Sequence, residues 1–75
     1  MDSTAEKILN NAYFKYLETK RSYLCQFPTS SVERHAYNEA IDYLKDNGYI
    51  TIGRRAVGMA DVILTEYGID FIKAI

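Results

Sequence analysis

Apolar residues keep helical spacing through the first part of this chain, then give way to short β-rich runs punctuated by glycine. Ala5, Ile8, Leu9, Ala12, Tyr13, Tyr16 and Leu17 form one stripe, which predicts a helix from Ser3 to about Lys20. Tyr37, Ala40, Ile41 and Leu44 form a second, which predicts a helix over residues 31–46 that stops at Asn47-Gly48. The pattern then changes. Tyr49–Ile52 and Ala60–Leu64 read as two strands, and residues 53–59, bracketed by Gly53 and Gly58, read as the loop that reverses the chain. Thr65 is the expected N-cap of a short closing helix, Glu66 to about Ala74. Two capping boxes are expected, Ser3 with Glu6 and Ser30 with Glu33. Residues 22–28 fit either a short strand or one helical turn, which periodicity alone does not separate.

Seventy-five residues have too little interior for two cores, so the expected organisation is a single domain over residues 1–75. A composition 48% hydrophobic and 25% charged is globular. No stretch reaches the ~20 apolar residues that cross a bilayer, and the single cysteine, Cys25, has no internal partner for a disulfide. Both point to a cytoplasmic protein, with Cys25 in the core. Phe14 lies partly off the first stripe, which leaves open a wide core face or a dimer contact.

The run from Asn38 to Ile50 resembles the end of the recognition helix and the first wing strand of winged helix-turn-helix proteins, matching at Ala40, Ile41, Leu44, Gly48, Tyr49 and Ile50. Leu64, Thr65, Gly68 and Phe71 are similar to the segment that follows the wing in that family. Small bacterial, phage and archaeal-virus regulators share this arrangement. The resemblance implies an α+β winged helix, with helices packed on a two- to three-stranded antiparallel hairpin and a short C-terminal helix. It further implies a DNA-binding transcriptional regulator without a cofactor. One feature departs from the pattern: residues 21–31 leave room only for a short, irregular or missing second helix.

That resemblance places Ser31, Arg34, His35 and Asn38 in the major groove and Arg54 and Arg55 at the tip of a projecting wing. Lys15, Lys20 and Arg21 would touch phosphates, the last two also suiting the final turn of the first helix. A homodimer through helix one and the C-terminal helix would add two half-site contacts. Net charge is −1, and from Val32 to Asp46 two bases face four acids, which opposes phosphate binding along that helix. The alternative is therefore a protein-interaction adaptor or antagonist that docks through the acidic helix face. Catalysis and metal binding are not expected: one cysteine and one histidine, His35, make neither a nucleophile–base pair nor a zinc set.

Overall fold

A computed structural model describes residues 1–74. The chain order is α1 (Ser3–Thr19), β1 (Tyr23–Gln26), α2 (Ser31–Asp46), β2 (Ile50–Ala56), β3 (Met59–Leu64) and α3 (Glu66–Lys73). The fold is α+β. Its antiparallel sheet has the order β1-β3-β2, so β3 is central and the two edge strands flank it.

The ambiguous stretch is β1, whose residues pair with β3 from Tyr23↔Val62 to Gln26↔Met59. Only residues 27–30 connect it to α2, and they hold no helix, so a second helix is missing from this position. The N–H of Phe27 donates to Gly58 O (2.9 Å), which carries the β1 contact right up to the hairpin turn. This corrects the expectation of a projecting wing: the hairpin ends where β1 ends.

α1 is capped by Asp2, whose Oδ1 accepts from the Ala5 amide at 2.8 Å, and Ser3 is the first helical residue rather than the cap. A carboxylate at the positive end of a helix is the stronger acceptor, so it displaces the expected serine box. α1 closes with Lys20 in the left-handed region (φ 60), which places Lys20 and Arg21 beyond the last turn instead of within it. The Ser30–Glu33 box is also absent: Ser30 is the N-cap of α2, yet its side chain makes no capping bond. At the other end of α2, Gly48 adopts φ 81, as helix termination at this residue requires.

The core gathers Ile8, Leu9 and Ala12 of α1, Ile41 and Leu44 of α2, and Cys25, Ile50, Ala60 and Val62 of the sheet. Tyr37, Leu64 and Phe71 pack against it, partly buried. Leu17, expected on the buried stripe, is 52% exposed because it lies well round the helix from the buried Ala5, Ile8, Leu9 and Ala12; Phe14 is 64% exposed. Gly68 explains the Thr65-x-x-Gly68 spacing. A Cβ there would collide with the carbonyl of Tyr49, so α3 can approach the end of α2 this closely only with glycine. Among the described residues no helix is long and apolar enough to cross a membrane.

Candidate functional site

The arginine pair that stands out in the sequence is divided by the fold. Ile52 pairs with Val62 and Arg55 with Ala60, so Gly53 and Arg54 together oppose the single residue Asp61. This is a β-bulge, and its extra residue shifts the alternation of side chains by one. In an unbroken strand Arg54 would fall on the helix side with Ile52, and Arg55 on the open side. With the bulge the two exchange places. Arg54 stands on the open face, its side chain 93% exposed and its Nε 3.6 Å from Asp61 Oδ2. Arg55 turns back onto α2.

Neither arginine lies at the hairpin tip, which is the two-residue turn Val57-Gly58. The placement expected for them in the loop at residues 53–59 is therefore corrected: β2 continues through both, to Ala56. Arg55 donates from Nη1 to Asp42 Oδ1 at 2.7 Å and from Nη2 to Asn38 Oδ1 at 3.1 Å. Asn38 in turn donates from Nδ2 to the carbonyl of Arg34 at 3.2 Å. Both ends of the Asn38 amide are thus engaged inside the protein. A base edge would have to displace Arg55 or the helix carbonyl before Asn38 could read it.

The start of α2 is different. Thr29, Ser30, Ser31, Val32 and Glu33 are all exposed, and the Ser30 hydroxyl leaves the first amides of the helix uncapped. Arg34 is half-buried, makes no ion pair among the described residues, and its Nε is buried with no hydrogen-bond partner. His35 is exposed and pairs one turn along with Glu39, Nε2 to Oε1 2.6 Å. Uncapped helix amides, free hydroxyls and a guanidinium are groups that donate hydrogen bonds to a phosphate oxygen.

Lys20 and Arg21 precede β1, the edge strand opposite β2. Two strand spacings, about 10 Å, separate those edges, and no hydrogen bond or ion pair among the described residues links either cation to α2. The Lys20 ammonium instead lies 4.5 Å over the Tyr16 ring. The structure therefore unites Ser31, Arg34, His35, Asn38 and Arg55 along α2, sets Arg54 on the far face of β2, and leaves Lys20 and Arg21 apart.

Two residues of this arrangement escaped the sequence reading: Asp42 as the partner of Arg55, and Asp61 as the partner of Arg54. The available signal was Gly53 inside a β-rich run, which marks a bulge. Cys25 is fully buried. Burial pushes its thiol pKa up, against smaller opposing effects of a hydrogen bond with Tyr23 and of Lys7. The chain matches no family model, no curated protein and no solved structure.

Proposed function

We propose that this is a double-stranded DNA-binding domain of winged-helix type, serving as a small transcriptional regulator. The observation that carries the proposal is the open start of α2, where uncapped amides and the Thr29–Ser31 hydroxyls stand beside the unpaired Arg34. Supporting it is the layout, in which a helix precedes a three-stranded sheet of order β1-β3-β2. Ser31 and Arg34 meet phosphate and the groove edge, and Arg54 supplies a contact from the hairpin. Arg55 acts as a positioning residue that holds Asn38 against β2. Binding of this kind is dominated by the phosphate backbone, with modest sequence preference.

A second function, protein interaction through the acidic face of α2, draws on Asp42, which neutralises Arg55 on the side where DNA affinity needs positive charge. Fluorescence anisotropy of a labelled duplex separates the two. Arg54→Ala leaves folding intact and lowers the log–log salt slope by about 0.9, the value for one phosphate contact. Asp42→Asn releases Arg55 and strengthens DNA binding; on the adaptor view it abolishes partner binding. A wild-type domain without salt-sensitive duplex binding at low ionic strength overturns the proposal.

A further inference from the structure

The last turns of α2 and the first turn of α3 meet on a surface that the proposed DNA contact leaves unused. Tyr49 stacks on Tyr67 with ring centroids 5.1 Å apart and meets Tyr43 at 6.4 Å, so it links the rings of the two helices. Tyr49 is half-buried, while Tyr43 and Tyr67 are 40% and 57% exposed. Tyr43 lies about 20 Å along α2 from Ser30 at 1.5 Å per residue, so these rings stand clear of the open helix start.

Carboxylates flank the exposed rings. Helical spacing puts Glu39 and Asp46 one turn to either side of Tyr43 and within about 60° of it round the axis, and Asp70 one turn beyond Tyr67 at about 60°. All three are exposed, and Asp2 shares a cleft with Glu39 and Tyr43. Asp46 and Asp70 make no ion pair among the described residues. The lysines of these helices are placed elsewhere: Lys45 is turned about 160° round α2 from Tyr43, and Lys73 lies nearly two turns beyond Tyr67 and about 120° round α3. The acids are also too dispersed for one ion, since no group of His, Cys, Asp and Glu among the described residues could hold a metal.

We infer that this surface docks an arginine-bearing segment of a partner protein. Its charge repels a phosphate backbone or an anionic membrane and attracts a cation. A guanidinium suits both chemistries present, because it stacks on an aromatic face and pairs with a carboxylate through two N–H donors. Carboxylates spread over two helices, with exposed rings between them, match an extended chain that carries successive cationic side chains. The start of α2 stays free for DNA while this end is occupied, so the inference stands whether or not the domain binds a duplex.

Calorimetric titration of the full chain with a short peptide alternating arginine and glycine tests the surface, with a glutamate–glycine peptide of equal length as control. Wild type binds the arginine peptide alone, and added salt weakens the binding. Tyr67→Leu keeps apolar bulk but removes the ring, and lowers affinity about two- to fivefold, the worth of one exposed cation–ring contact. Asp46→Asn with Asp70→Asn, both exposed and verified as folded by circular dichroism, lowers it at least as much without touching the rings. Glu18→Gln with Glu33→Gln makes the same change in net charge away from the surface and leaves affinity unchanged. No binding of the arginine peptide at low salt overturns the inference, as does a control pair that weakens binding as much as the aspartate pair. Sedimentation velocity covers the remaining occupant: a wild type that self-associates and loses this with Tyr67→Leu assigns the surface to a second copy and overturns the inference.

Discussion

α2 and α3 both begin at a hydroxyl residue, Ser30 and Thr65, and the two starts are built differently. The Thr65 hydroxyl accepts from the Gly68 amide at 3.0 Å and lies 2.6 Å from the carbonyl of Gly48 and 3.1 Å from that of Tyr49. The Thr65 amide adds a bond to Tyr49 O, and Gly68 sits against the same carbonyl. One residue thus caps α3 and clamps it to the end of α2. The Ser30 hydroxyl caps nothing, and its neighbours are exposed. The contrast teaches where stability and contact are divided. The end of α2 is fastened by many partners, while its beginning has exposed polar groups that bond to nothing among the described residues.

The largest expected effect lies on the fastened side. Gly68→Ala drives a methyl group into a backbone carbonyl that no rotamer change can move, so it should destabilise by about 1–3 kcal/mol in urea unfolding. A loss below half a kilocalorie would mean that α3 and Tyr49 are not in close contact, and the contrast between the two helix starts would collapse.

Much of this fastened side is legible in the sequence, because it depends on local chemistry. Thr65 and Gly68 stand at capping distance, Gly48 closes a helix, and Ile41 and Leu44 keep a helical period that the core then buries. The candidate site is less legible because it depends on long-range geometry. Arg54 and Arg55 are adjacent in sequence, and only the pairing with Asp61 reveals that a bulge sends them to opposite faces. Asp42 is separated from Arg55 by a strand and a turn, so nothing local couples them. Cap choice is a closer competition: Asp2 takes the role expected of Ser3 because two neighbouring acceptors reach the same amides and the charged one wins.

An intermediate effect comes from Thr65→Ala, which removes a side-chain cap and should destabilise by about 0.5–2 kcal/mol. Thr65→Ser keeps the hydroxyl and should restore most of that loss. If serine fails to rescue, the threonine methyl group rather than the clamp holds α3 in place.

The smallest effect on stability, and the most informative for function, belongs to Ser30. Ser30→Ala removes a hydroxyl that makes no capping bond, so it should change stability by no more than about 0.5 kcal/mol. A loss above about 1 kcal/mol, the usual value of a serine cap, would show that the hydroxyl caps α2 in solution and that its start is not open. Ser30→Asp carries the test further. A carboxylate at this position can accept from the free amides and complement the helix dipole, which stabilises by about 0.3–1 kcal/mol. The same carboxylate occupies the place of a phosphate and repels the DNA backbone, so duplex affinity should fall while the melting temperature rises. These opposite signs identify a helix start left uncapped for an anionic partner. If Ser30→Asp stabilises the fold with no loss of duplex binding, the open start takes no part in DNA contact, and the proposed interface loses its central feature.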